Sequence, residues 1–344
     1  MPYTTADTPA LVRRIDSDLE EVVATVREAD PHLRSLVLTG GFARGEGTVL
    51  AGEPQNDYDL VAVRGLGRPR ETYARLRVRL ETLLGLHVDL APVPAWRLRR
   101  APRSIFWYET ALRGRVLWGE DLLARIPVRD AADLDPREGL RLLANRAAGL
   151  LLATRTKDGD EVRIQAAKAL LAAFDMHLLA AGRFAPSQAE RWNRFQDLVA
   201  NGEAPPALEM NAPLLAWAFR FKTEPNAVAR RDPEDVWRAA RRVLLQAVPV
   251  ALRHAGLGSL QAAQGGDGLL DRATYAWRSH AVAGARRLVL DPTARVRVAT
   301  LRLLEATPDG RVRPAEAGRC LAGIAKPGDD PLQTLEGLRR ATRQ

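Results

Sequence analysis

The period of the hydrophobic residues changes once along this chain of 344 residues, close to Pro136. Before that point helical spacing alternates with short apolar runs that end in glycine or proline. After it helical spacing prevails and strand-like alternation almost disappears. Such a chain is expected to fold as an α+β unit followed by an all-α helix bundle. Its length gives room for more than one core, because single cores stop growing well before that size.

Within the first part, Leu11, Ile15, Leu19, Val22, Val23 and Val26 predict an amphipathic helix over 10–29. Ser35 to Thr39 reads as a strand ending at Gly40-Gly41, and Tyr58 to Val63 as a second strand. Residues 69–84 read as a helix. Leu86 to Ala91 alternates like a half-buried strand that stops before Pro92 and Pro94. A helix is expected over Ser104 to Arg113, and a short strand over Val116 to Trp118. In the second part, breaks fall at Lys157 to Asp160, Gly182 to Ser187, Asn201 to Pro206 and Glu224 to Pro233. The expected domains are therefore 1–130, 136–250 and a helical extension, 256–344, packed on the bundle.

Composition narrows the setting. The single cysteine, Cys320, excludes an intramolecular disulfide, and no Cys/His cluster has zinc-site spacing. The N-terminus lacks a basic start followed by an apolar core. The most apolar long stretch, 164–182, contains Lys168, Asp175 and His177. A cytoplasmic protein with no membrane partner is expected. The net charge of +9 would suggest a polyanionic partner, but 47 arginines against four lysines, among many alanines, read equally as GC-rich coding.

The chemistry is carried by three aspartates. In Asn56-Asp57-Tyr58-Asp59-Leu60 the two acids are two residues apart on a predicted strand, so both project from one face. In Leu86-His87-Val88-Asp89-Leu90, His87 and Asp89 share the face opposite the core, and a neighbouring strand would bring Asp89 to the pair. Converging carboxylates are the hard oxygen ligands that magnesium requires for phosphoryl or nucleotidyl transfer. Upstream, Thr39-Gly40-Gly41 runs a strand into glycines that let backbone N–H groups approach a phosphate.

In this order, Gly-Gly, paired acids and a third acid, the chain resembles the DNA polymerase β nucleotidyltransferase superfamily over about residues 30–120. Gly40-Gly41-Phe42-Ala43-Arg44-Gly45-Glu46 also resembles the start of uridylyltransferases that modify nitrogen-signalling proteins. The connection from Gly41 to Asp57 is longer than is usual in that superfamily, as a small loop insertion would make it. At the level of architecture alone, the bundle is similar to the helical domains of kanamycin-type nucleotidyltransferases.

The resemblance implies a small mixed-sheet nucleotidyltransferase domain of two layers joined to an all-α region, with the active site in the cleft between them. It implies Asp57, Asp59 and Asp89 as catalytic residues and metal ligands, for two Mg2+ ions or Mn2+, and Gly40 and Gly41 at the triphosphate. ATP is the expected donor of AMP, and a small hydroxylated molecule is preferred as acceptor over a protein or RNA. A non-catalytic nucleotide-binding regulator is the reading from another class.

Four further features have two readings each. Arg44 is a nucleotide-binding candidate or half of a surface ion pair with Glu46. Lys168 either reaches the ATP phosphates or pairs with Asp175 or a chain terminus. His87, on the face of Asp89, stays outside the core set because magnesium prefers oxygen. Trp96 to Arg115 carries six arginines among aromatics; it binds a polyanion or, as preferred, is a helix with its aromatic side on the sheet and its basic side solvated.

Overall fold

The computed structural model describes residues 2–50, 52–65, 70–257 and 292–313, together with Cys320, Asp330 and Gln333. Most of the expected C-terminal extension lies outside the described residues. The chain is α+β and divides into two compact units. The first comprises Met1–Asp135, Arg183–Arg194 and Arg220–Val228; the second comprises Pro136–Gly182, Phe195–Phe219 and the described residues from Ala229 onward. Two segments from within the predicted bundle thus belong with the sheet.

The first unit opens with α1 (Pro9–Ala29), started by Thr8, whose side chain accepts the Leu11 N–H, and by proline in its first turn. There follow β1 (Leu33–Thr39), the five-residue helix α2 (Gly40–Arg44), the short strands β2 (Val49–Leu50) and β3 (Glu53–Pro54), and β4 (Tyr58–Arg64). Next come α3 (Arg70–Leu84), β5 (Val88–Pro94), a 3-10 helix (Ala95–Arg100), α4 (Ile105–Arg113) and β6 (Arg115–Gly119). The sheet order is β5-β4-β1-β6; β4 and β5 are parallel, and the other two pairings are antiparallel.

Alternation along the strands sorts the side chains between two cores. Leu36, Leu38, Tyr58, Leu60, Val88 and Leu90 pack with the apolar faces of α1 and α3. Val37, Val61 and Val63 project to the other face, against Ala95, Leu98, Ala111 and Ile126. The two-layer expectation is therefore corrected, since both faces of the sheet are covered. The strand Leu86 to Ala91 is also corrected. It runs on through Pro92 and Pro94 because β5 is an edge strand, whose outward positions need no N–H donor.

The long connection between Gly41 and Asp57 folds into the β2-β3 hairpin. Asn56 closes it, its side-chain oxygen accepting the Thr48 N–H at 2.7 Å. The segment after β5 differs from the single amphipathic helix expected. Ser104 caps α4 by accepting the Trp107 N–H, and that register turns Tyr108 and Ala111 inward. Trp96 and Phe106 are left 58% and 43% exposed, so the aromatic side is not uniformly on the sheet.

In the second unit, α5 (Glu138–Ala153), α6 (Gly159–Ala180), α10 (Pro233–His254) and α11 (Pro292–Glu305) form the packed core, with α7 (Gln188–Ala200), α8 (Pro206–Glu209) and α9 (Ala212–Thr223) intervening in sequence. Each predicted break falls at a helix boundary. Small residues set the close approach of α5 and α6: a Cβ on Gly139 would lie 2.0 Å from Met176 Sδ, and one on Gly149 would lie 2.3 Å from Gln165 Oε1. Trp237 of α10 donates its indole N–H to the Leu150 carbonyl at 2.8 Å. Among the described residues no helix is long and apolar enough to cross a membrane.

Candidate functional site

The acids meet because β4 and β5 are parallel neighbours in register. Asp59 lies opposite Asp89, and Tyr58 opposite Val88. The ladder extends one step before both strands, where the Tyr58 N–H donates to the His87 carbonyl at 2.9 Å. Asp57 thus stands just ahead of β4 rather than within it, across from His87. The period of two carries these four side chains to the face of Val61 and Val63, at the end of the strands beyond that core.

Asp57, His87 and Asp89 form a group in which one ligand atom from each lies within 4.8 Å of the others. Asp57 and Asp89 are half-buried, and His87 is more open. Such a group has the donors and the spacing to hold a divalent cation. His87 joins the group although magnesium's preference for oxygen keeps it outside the expected core set. Its position on the face of Asp89 is the signal for it in the sequence.

Asp59 is turned toward Gly40. An ideal Cβ on Gly40 would lie 1.9 Å from Asp59 Oδ2, and the backbone there has φ +66°. The Thr39 hydroxyl donates to the Asp59 carbonyl at 3.2 Å, tying the end of β1 to the start of β4. Gly41 is hemmed in by the Asn56 amide nitrogen, 2.4 Å from where a Cβ would stand. Both glycines were expected for phosphate approach. The structure gives each a second reason, since the side chains of the Asn-Asp-x-Asp segment occupy the space.

Arg44 is half of more than a surface ion pair. Its Nε donates to Glu46 at 2.8 Å and its Nη1 to Glu109 at 2.6 Å. Arg191 joins the far side of Glu109 at 2.9 Å and also donates to Gln188 at 2.9 Å. Glu46 in turn accepts the backbone N–H groups of Gln188 and Ala189 at the start of α7, where a carboxylate satisfies orphan donors. Burial alone would raise the Glu46 pKa, but Arg44, Arg191 and Lys222 together hold it below the ordinary carboxylate value. Burial likewise opposes the Arg44 charge, and Glu109, Glu46 and then Asp59 overcome it, so its pKa is raised. The Arg-Gly-Glu sequence therefore builds a buried bracket that fastens residues 185–191 to α2 and α4.

Lys168 lies half-buried on α6 of the second unit, and Asp175, two turns on, is buried. Around Trp96 the exposed side chains include Arg97, whose guanidinium stacks on the Trp96 ring at 5.3 Å.

No family model matches the chain, and no curated protein matches it. Among solved structures the chain is similar to a tri-AMPylated HEPN toxin in complex with MNT antitoxin from Shewanella oneidensis. The identity is 19%, over 30% of this chain and 72% of that one, with a TM-score of 0.23. A mutant of the toxin-antitoxin MntA-HpeT aligns at 19% identity over 30% of this chain and 74% of that one, with a TM-score of 0.24. A toxin-antitoxin structure with AMP-PNP aligns at 20% identity with the same coverages and TM-score.

Proposed function

We propose that the first unit is the catalytic domain of a metal-dependent nucleotidyltransferase. It transfers a nucleoside monophosphate, AMP from ATP in the first instance, to a hydroxyl of a small-molecule acceptor. The observation that supports this most is the convergence of Asp57 and Asp89 from neighbouring strand ends onto one cation-sized space, beside a glycine turn packed against Asp59.

The donor set fits a divalent ion, because carboxylate oxygens at this spacing are hard ligands on a half-exposed rim that a triphosphate can share. When bound, Mg2+ or Mn2+ supplies charge neutralisation for the phosphates and lowers the pKa of a coordinated hydroxyl. Asp57 and Asp89 would hold the ion at the strand ends. Asp59, turned toward Gly40 and outside that group, would ligate a second ion that accompanies the triphosphate. Gly40 and Gly41 would offer backbone N–H groups to a phosphate. Asp89 either ligates on the acceptor side or takes the acceptor proton. The acceptor oxygen then attacks the α-phosphorus, the bond to the β-phosphate bridging oxygen breaks, and pyrophosphate leaves.

The resemblance of Gly-Gly-x-x-Arg-Gly-Glu to protein-modifying uridylyltransferases leans toward a protein acceptor, the second choice after a small molecule. Arg44 and Glu46 are engaged in the bracket to Glu109 and Gln188, so that sequence does not favour a protein over a small molecule. Pyrophosphate release from each nucleoside triphosphate tests the proposal, over a panel of sugars, aminoglycosides, proteins and RNA with Mg2+. Release stimulated by one acceptor class, and lost in Asp57→Asn, supports it and names the acceptor. Metal-dependent triphosphate binding with no release over the whole panel points instead to a nucleotide-binding regulator.

A further inference from the structure

Glu81, in the last turn of α3, and His87, just before β5, are close partners across the short turn that joins these elements. Glu81 Oε1 lies 2.5 Å from His87 Nδ1, and the same oxygen accepts the Val88 N–H at 3.3 Å. A carboxylate on Nδ1 fixes the imidazole tautomer, so that Nδ1 carries the proton and Nε2 presents its lone pair. That Nε2 faces Asp89, with 3.7 Å to Oδ1. The distance is beyond hydrogen-bond reach. It agrees with the separation of two ligands of one ion: donors about 2.1 Å from a metal and about 90° to 120° apart are about 3.0 to 3.7 Å from each other. Asp57 supplies an oxygen within the same 4.8 Å group.

We propose that His87 is a nitrogen ligand of the ion held by Asp57 and Asp89, with Glu81 as the carboxylate that orients it. The site then discriminates in favour of first-row transition ions, Mn2+ being the probe, over Mg2+. This inference rests on the proposed metal site. Imidazole adds little to magnesium, which keeps water and oxygen ligands, and adds more along the transition series. Carboxylate–histidine pairing is the usual way that a metal-bound ring is held in place, and removing the carboxylate typically weakens metal affinity by about 10-fold to 100-fold.

The test is Mn2+ titration of the whole protein followed by electron paramagnetic resonance, with electron spin echo modulation used to detect a coordinated nitrogen. Wild type is expected to bind Mn2+ with a single-histidine 14N modulation, which changes to the 15N pattern when histidine is labelled. His87→Ala is expected to lose that modulation and to weaken Mn2+ at least 10-fold while changing Mg2+ affinity by less than about 3-fold. Glu81→Gln is expected to weaken Mn2+ in the same sense. Mn2+ bound in wild type without nitrogen modulation, and lost in Asp57→Ala, would overturn the role of His87 and leave the carboxylate site standing. Absence of Mn2+ and Mg2+ binding in folded wild type would overturn both.

Discussion

The Asp59 carboxylate stands where a side chain on Gly40 would have to be, so that a Cβ there would meet Asp59 Oδ2 at 1.9 Å. The glycine is demanded twice, by this contact and by φ +66°, a conformation that side chains disfavour by about 1–2 kcal/mol. Gly40→Ala is therefore expected to displace Asp59. Stability should fall by about 1–3 kcal/mol, and turnover by on the order of 100-fold, the effect of a misplacement near 1 Å. Thermal denaturation and pyrophosphate release measure the two losses separately. Unchanged turnover would show that Asp59 has no part in the chemistry.

Removing charge from the converging pair tests the metal site itself. Asp57→Asn and Asp89→Asn keep side-chain volume while depriving the ion of a carboxylate, with an expected loss of several kcal/mol of transition-state stabilisation, or about 10²- to 10⁴-fold in rate. Both variants should keep the wild-type circular dichroism spectrum, because these side chains are only half-buried.

Much of this site was legible because strand period and strand order carry it. With Asp57 and Asp59 two residues apart and Asp89 at the start of the next strand, β4 and β5 need only be neighbours, as the α3 connection makes them. What was not legible depends on tertiary contacts. No spacing relates Arg44 to Arg191, 147 positions on, yet both grip Glu109. Likewise, Pro92 and Pro94 end a strand by local rules, and only the edge position of β5 lets it continue. The contact of His87 with Glu81 likewise joins residues from either side of a turn.

Arg44 and Glu46 should act on the fold more than on the nucleotide. Glu46→Gln leaves a buried guanidinium with one carboxylate fewer and weakens the cap on α7. A loss of about 2–4 kcal/mol is expected, near that for breaking a buried pair from one side, together with earlier proteolysis within residues 183–194. Affinity for metal and nucleotide should stay within about 3-fold. A large fall in nucleotide affinity at unchanged stability would return Arg44 to the nucleotide site.

A second buried cluster gives the first unit an acid limit. Asp30 accepts from Arg64 at 3.0 Å, from the Tyr73 hydroxyl at 2.5 Å and from the His32 N–H at 3.0 Å. Burial would raise its pKa, but these bonds, led by Arg64, lower it from the usual 3.8 to about 2. A depressed carboxylate pKa stabilises the fold above the unfolded value. The contribution of about 2 kcal/mol is thus complete above pH ~4 and lost as pH falls from about 4 to 2. Urea denaturation should show Asp30→Asn less stable at pH 7 by about 3 kcal/mol, with the gap to wild type narrowing below pH 4. A constant gap through that window would contradict the assignment.

The most direct test of the account is calorimetric titration of ATP, with and without Mg2+, into wild type and into Asp57→Ala/Asp89→Ala. Wild type is expected to bind ATP saturably and only with the metal, and the double variant, its fold kept, is expected to lose that binding. Equal binding by the two proteins, or binding indifferent to the metal, would contradict it.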